Sequence, residues 1–484
     1  MRRVIIRLLL GAAVACGLGL LWSHSSAAGK PARLGVSQDE EPLADPKGDK
    51  LMGNATCASM SCHNVNGPRG SPRSEYSTWV AFDKHARAFQ VLYDDRSQRI
   101  ARSLYGEGAQ AYQQQLCLNC HSMKHEKVAG TGERFVLADG VGCESCHGAA
   151  ERWLAAHYQS GFKEKSNADK AAYGMLPTKD LAARGKVCAD CHIGNLDKNM
   201  EVNHDLIAAG HPRLNFEYSG YLHMFARHWL LADEKARHPD YHARVWAIGQ
   251  VVSARAAVEQ VRFRAAHATQ QDANGKPWPE FAEYGCFACH KELKVIPFAD
   301  KLSMQRYTEK YKGRRPGALA WGTWYLPLMR KYAQMSGVDL DDSVAALQKA
   351  MERPGAPPAE VVKEADVALK AFDQWLGQLK QRAPLTAAEV RNVYAGLLDL
   401  DAEEARALDW DQAVQRYLAL SALNVGLGEL DPSYKPGPAR MDLRELGLRL
   451  KDAFPVGSDS PGKFDPLDPP LDKKFKAIRQ MLEN

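Results

Sequence analysis

Ten of the chain's 11 cysteines fall into five pairs, and a histidine follows each pair at once. The sets are Cys57/Cys62/His63, Cys117/Cys120/His121, Cys143/Cys146/His147, Cys188/Cys191/His192 and Cys286/Cys289/His290. Two thiols three positions apart, with an imidazole directly after the second, form the attachment signature of c-type haem. The thiols add across the two vinyl groups on one porphyrin edge. The chain between them turns tightly enough for the next side chain to ligate the iron as the proximal His. The first set departs, with four residues between its thiols, but the longer loop still spans the same two vinyl positions. Zinc needs four ligands from two such pairs and gains nothing from a His fixed after the second Cys. A disulfide does not need the His at all. The sequence therefore implies five covalently attached haems c, with His63, His121, His147, His192 and His290 as proximal iron ligands.

Two complete sets lie between Leu116 and Gly148, so their haems cannot be far apart. The fifth stands alone, 98 positions from His192 to His290, and the tertiary fold must bring it back. Five irons also call for second axial ligands. From Tyr76 to Tyr93 the periodicity is helical, and Thr78, Phe82, His85, Phe89 and Leu92 share a face, which points His85 inward. Gly148 to His157 reads as a helical continuation of the third set. His157 leaves the same local turn as His147, so it would serve a neighbouring haem. His204 and His211 lie seven apart on an apolar helical run and share a face, and Gly210-His211-Pro212-Arg213 ends that helix. His228, beside Trp229, is preferred over His223. The candidate distal ligands are thus His85, His157, His204, His211 and His228. A lone His on an apolar face is ordinarily a core residue, but the demand for ligands reverses that reading here. His125, among Lys124, Glu126 and Lys127, reads as solvated, and His238, His242 and His267 as surface residues of a long helix. Arg213 is a candidate partner for a haem propionate or a plain surface Arg.

The N-terminus carries Arg2, Arg3 and Arg7, then an apolar run from Leu8 to Trp22 and small residues at Ser26 and Ala28. This reads as a secretory signal, residues 1–28, cut near Ala28. The run is short for a membrane span, although an uncleaved leader would act as an anchor. Removing it brings Lys+Arg from 63 to 60 against 58 Asp+Glu, a balance of +2. With no basic block there is no electrostatic footprint for nucleic acid. Residues 29–50, rich in Lys, Pro, Asp, Glu and Gly, read as a flexible lead-in.

Beyond His290 the chain has no Cys and no His. Residues 359–381 carry Val362, Leu369, Phe372, Leu376 and Leu379 at helical steps after Pro357-Pro358. Thr386-Ala-Ala-Glu389 is a capping box, and Asp409 to Ala422 adds a further helix with Val414, Tyr417, Leu418 and Ser421 on one side. No strand pattern of useful length appears. The expected fold is mainly α: a multihaem cytochrome c domain with long loops over 51–295, then a haem-free helical bundle region over 296–484.

The order of these motifs resembles the multihaem cytochrome c-554 family. The resemblance rests on the early Cys-x4-Cys-His, the segment bearing His85, Gly142-Cys143-Glu144-Ser145-Cys146-His147-Gly148 with Trp153-Leu154-x-x-His157, Asn203-His204-Asp205 leading into Gly210-His211-Pro212-Arg213, and Trp278-Pro279-Glu280-Phe281 before Cys286. It covers roughly residues 51 to 295. It implies closely packed haems, mostly with two His ligands, passing electrons through the periplasm to other redox proteins such as cytochromes and quinol-linked membrane complexes. Five motifs in place of four, the wide first motif and the C-terminal helices depart from that smaller cytochrome.

Three functions compete on the sequence. A non-catalytic electron carrier needs every iron closed by two His. A haem enzyme acting on nitric oxide, hydroxylamine, nitrite or a small sulfur compound needs one open iron. A docking role would use the C-terminal helices to bind a larger respiratory complex, and any membrane association would run through that partner or an uncleaved N-terminus. Five distal candidates for five irons favour the carrier, with no catalytic residue assigned.

Overall fold

The computed structural model describes residues 49–124, 128–269, 278–286, 289–290, 318–452 and 471–483. The leader, most of the lead-in and His125 lie outside these residues. The described chain is mainly helical, and its only β pairings are isolated bridges.

The N-terminal part consists of short helices: α1 (Asn54–Cys57), α2 (Glu75–Phe82), α3 (Asp95–Tyr105), α4 (Gln115–His121), α5 (Cys143–His147), α6 (Asn167–Ala172), α7 (Leu181–His192), α8 (His204–Ala208), α9 (Tyr218–Met224) and α10 (Leu231–Arg237), of which α1, α4, α5 and α7 end on the cysteine motifs. Next comes α11 (Tyr241–Thr269), the longest helix. The C-terminal helices are α12 (Pro327–Met335), α13 (Asp341–Met351), α14 (Pro358–Gln381), α15 (Ala387–Leu398), α16 (Ala402–Ala407), α17 (Trp410–Leu430), α18 (Pro436–Asp452) and α19 (Leu471–Glu483).

Helix α11 organises the packing because it is buried on nearly every side. Val245, Trp246, Ile248, Val251, Val258 and Val261 are all buried, which is the pattern of an interior helix. On one side it backs α7, which carries the fourth motif. On another it lies antiparallel to α14, with Arg255 on Asp373 and Arg262 on Asp366. Arg244 of α11 holds Asp240 and donates to the carbonyls of Leu379, Arg382 and Ala383 at the α14 C-terminus, where unpaired carbonyls favour a cation. One hydrophobic core consequently runs from Leu181 to Leu482. It is continuous across residue 295.

The helical phase of the C-terminal part differs from the sequence expectation. Helix α14 buries Val361, Ala365, Ala368, Phe372, Trp375 and Leu379, while Val362, Leu369 and Leu376 lie at the edge of that face. The small Ala365 and Ala368 admit close approach of α11, and Trp375 packs at a tilt against Tyr332. Helix α17 likewise buries Ala413, Ala419, Leu420, Leu423 and Leu427, the side away from Val414, Tyr417 and Ser421. The Thr386–Glu389 capping box forms as read.

Candidate haem centres

The third motif is the best-anchored. Glu144, between its cysteines, is buried and accepts the backbone N–H groups of Met52, Gly53 and Ala150 at 2.8, 2.7 and 2.8 Å. Asn54 accepts the Cys143 N–H at 2.9 Å, and a Cβ at Gly142 would collide with the Asn54 amide. These bonds clasp the first motif onto the third, and the Cys57 and Cys143 thiols touch. The second motif meets the fourth in the same way. Asn119 donates to the Asn199 carbonyl at 2.8 Å, and the Cys120 and Cys191 thiols touch. Cys146 of the third motif and Cys188 of the fourth are electrostatic neighbours.

The fifth motif is recovered by α11 and by α8. Arg264 of α11 pairs with Glu201 at 3.1 Å and with Glu283, two residues before Gly285, and Gly285 donates to Ala320 at 2.8 Å. Glu280 accepts the His204 backbone N–H at 2.8 Å and that of Ala282 at 2.9 Å, so the Trp278–Phe281 stretch seats the start of α8.

Each attachment-motif His faces one of the five other candidates. The ring centroids of His63 and His157 are 6.2 Å apart, His85 and His192 6.0 Å, His121 and His211 6.5 Å, His147 and His228 6.2 Å, and His204 and His290 6.2 Å. An imidazole nitrogen lies about 2 Å from a bound first-row metal and about 1.1 Å from its own ring centre, so two imidazoles sharing an ion have centroids about 6.2 Å apart. Every pair sits within a few tenths of that spacing. His223, the rejected alternative, is exposed.

The hydrogen bonds fix the tautomers. His63 bonds Glu75 at 3.1 Å, His85 bonds Asp83 at 2.9 Å, His121 bonds the Ala88 carbonyl at 2.8 Å, His157 the Leu154 carbonyl at 2.6 Å and His211 the Pro212 carbonyl at 2.8 Å. All use Nδ1. Nε2 remains free to ligate, held in orientation by the bond behind it. Burial pushes His147, His192 and His211 down to about 4, so these rings are neutral at pH 7, the form that ligates. Glu75 raises His63 by its hydrogen bond against the opposing effect of burial.

Burial also pushes the Cys146 thiol up to about 12 and Cys188 further. A thioether has no proton to lose, so these sites suit attached sulfur better than a reactive thiolate. Among the described residues no three His, Cys, Asp or Glu side chains converge on a bare-metal site. Two axial rings and nothing equatorial fit an ion whose other four ligands come from a porphyrin. The residues present fit haem c.

Residues 56–148 match the family described as cytochrome c554 and c-prime. That segment holds the first three motifs, and the match supports covalently attached haem c there. Cytochrome c-554 of Nitrosomonas europaea is 28% identical over 124 residues, covering 22% of this chain and 48% of that protein. The chain spans about half the length of this curated relative. No solved structure matches. Among the described residues, no helix is long and apolar enough to cross a membrane.

Local structure corrects several sequence readings. The helix expected over 76–93 stops at Phe82, because Asp83 turns extended and caps a 3-10 turn through the His85 N–H. His85 therefore sits on that turn. Gly148, at φ +84°, breaks the helix after the third motif, and His157 is reached through consecutive turns. Helix α8 ends at Ala208, and His204 and His211 face different motifs. His242 is half-buried against Glu429 at 2.8 Å, and His267 stacks on Phe263. Arg213 pairs with Asp411 of α17 at 3.0 Å, a partner 198 residues away that no local pattern announces.

The five sets, read alike from the sequence, also differ in burial. Cys289, the second attachment thiol of the fifth set, is exposed, as are His290 beside it and Cys62 of the first set, whereas the other eight paired cysteines are half-buried. In the fifth set the described anchors lie at its start. The bonds from Arg264 and Ala320 hold Glu283 and Gly285, so enclosure fades along the motif from buried Tyr284 through half-buried Cys286 to exposed Cys289. In the first set the clasp on the third motif holds the Cys57 end, and the wider loop carries Cys62 outward.

Proposed function

We propose that the chain is an exported c-type cytochrome of five haems that passes electrons between redox partners, cytochromes or quinol-linked membrane complexes, on the periplasmic side. The observation that carries this reading is the one-to-one pairing of five attachment-motif rings with five other rings at an iron-sharing distance. Two imidazoles on one iron leave no position for a substrate, and this favours the carrier over the enzyme. Bound haem supplies a one-electron Fe(III)/Fe(II) couple. The protein's share is to keep both axial rings in place in either state. Carbonyl and carboxylate acceptors behind the rings do this, and the helices of 296–484 brace α11 and, through it, the fourth and fifth motifs. The thiol neighbours support a succession of centres in the order first, third, fourth and second motif. Export rests on residues 1–28 and is checked by finding a mature N-terminus near Gly29.

The test is electron paramagnetic resonance of the oxidised, haem-loaded protein, followed by addition of carbon monoxide to the reduced sample. Every iron should be low-spin and none should bind the gas, whereas His228→Ala should create one gas-binding centre. A high-spin signal in the unaltered protein that shifts with nitric oxide would overturn the carrier and favour an enzyme acting on a small nitrogen or sulfur compound.

A further inference from the structure

The acceptors behind the axial rings are unequal. A strong acceptor at Nδ1–H makes an imidazole a better donor and stabilises ferric iron, while a weak one leaves ferrous iron relatively favoured. The first-motif pair has the Glu75 carboxylate on His63 at 3.1 Å. The fourth-motif pair has the Asp83 carboxylate on His85 at 2.9 Å, and the same oxygen accepts the His85 backbone N–H at 3.0 Å. Asp83 is only 6% exposed, so water screens it little. The second-motif pair has two neutral carbonyls, each at 2.8 Å. The third-motif pair has neither kind of support. His147 reaches only the Thr178 hydroxyl at 3.4 Å, beyond the usual length of such a bond. His228 Nδ1 is buried and has no partner among the described residues.

A cation reinforces the contrast. Arg184 donates to the Thr178 carbonyl at 2.7 Å and lies 4.8 Å over Trp229, whose ring stands edge-on to His228 at 5.0 Å. It thus backs the segments that carry Thr178 and His228. Glu234 binds it through two bonds of 2.9 Å and offsets much of its field. Asp83 and Glu75 act on His228 only through space, without a hydrogen bond to it.

Resting on the five-haem reading, we propose that, among the four pairs built on the first four motifs, His147/His228 holds the iron of highest potential, and that Glu75 and Asp83 keep the pairs on either side low. The third motif adjoins the first through Cys57 and Cys143 and the fourth through Cys146 and Cys188. An electron leaving ferrous iron at His63/His157 or at His85/His192 reduces ferric iron at His147/His228, with no bond made and no proton moved. The third centre is then a store between two centres of lower potential, and Thr178 and Asp83 are positioning residues that set its depth relative to the fourth.

The experiment is a redox titration of full-length, haem-loaded protein followed by absorbance and electron paramagnetic resonance, comparing Thr178→Asp and Asp83→Asn. Thr178→Asp should lower one of the upper steps at least tenfold in its reduction equilibrium, about 59 mV for one electron. Asp83→Asn, nearly isosteric and the safer variant for folding, should raise one of the lower steps. The ranking is overturned if Thr178→Asp moves a low step or none, or if Asp83→Asn leaves every low step in place. A separate count of haems and of low-spin irons tests the underlying reading. Fewer than five haems, or a high-spin iron in the unaltered protein, would overturn that reading and the ranking with it.

Discussion

Replacing Asp411 by Ala should destabilise the protein by about 3–5 kcal/mol, the range for breaking a buried ion pair from one side. The structure places this case toward the upper end of that range. The Arg213 guanidinium donates from Nη1 to both carboxylate oxygens at 3.1 and 3.0 Å, and the Thr323 hydroxyl adds a third bond at 2.5 Å. Side-chain exposure is 15% for Arg213 and 7% for Asp411, so solvent offers the abandoned guanidinium little relief. Guanidinium cannot escape by losing its proton. The pair also ties the loop after α8 to α17, so its loss should loosen the second and fifth centres together. The assay is denaturant unfolding of haem-loaded protein, followed by far-ultraviolet circular dichroism, on Arg213→Met, Asp411→Leu, their double variant and Asp411→Ala. Each single change should be costly and the double change nearly neutral, giving a large coupling energy. If Asp411→Ala shifts stability by less than about 0.5 kcal/mol, the level of an ordinary surface change, the ion pair is not what holds Arg213. A propionate, the alternative read from Gly210-His211-Pro212-Arg213, would then be its partner.

Three further outcomes follow from the geometry. Gly249→Ala should cost about 1–3 kcal/mol by overpacking, read by thermal unfolding, because the added Cβ would lie 2.7 Å from the Tyr218 Cβ on α9. Glu429 is opposed by burial, yet its bonds to His242 and Lys235 hold it below the usual carboxylate range. Its contribution is therefore present above about pH 4.3 and lost as pH falls through the depressed value, so Glu429→Gln should lower the unfolding midpoint at pH 7, by a margin that shrinks as the solution is acidified below that. The ring planes are near parallel in His63/His157 and His204/His290, at 15° and 25°, and steep in the other three pairs, at 66°, 74° and 85°. The oxidised protein should accordingly show two rhombic low-spin signals and three of large maximal g, and a spectrum without steep-plane signals would contradict this geometry.

The cysteine spacing made the attachment motifs legible without a structure, because that chemistry is local: two thiols and one imidazole within a turn or two of chain. How deeply each thiol sits was not legible, since Cys289 and Cys146 follow the same spacing and differ only in what packs around them. The capping box at Thr386 was legible because it too is local. Helix phase in the C-terminal part was read less well. Val362 and Leu369 follow a helical period, but Ala365 and Ala368 beside them are what α11 needs for close approach, and a hydrophobicity pattern undervalues alanine.

The five candidate distal histidines stand among apolar neighbours in the sequence, but their pairing needs contacts of long range. His157 meets His63 across 94 positions and His228 meets His147 across 81. Only the folded chain brings such residues within an iron's span. Asp83 shows the limit most clearly. In sequence it is one more acid after Phe82, whereas in the fold its extended backbone ends a helix, caps the next turn and sets a carboxylate behind a ligand. The sequence by itself determined the five cysteine–histidine motifs and the chemistry they suit, since covalent attachment depends on neighbours in the chain. The tertiary structure alone decided which ring faces which, what stands behind each ring and how Arg213 binds the two halves, since hydrogen bonds and burial depend on neighbours in space.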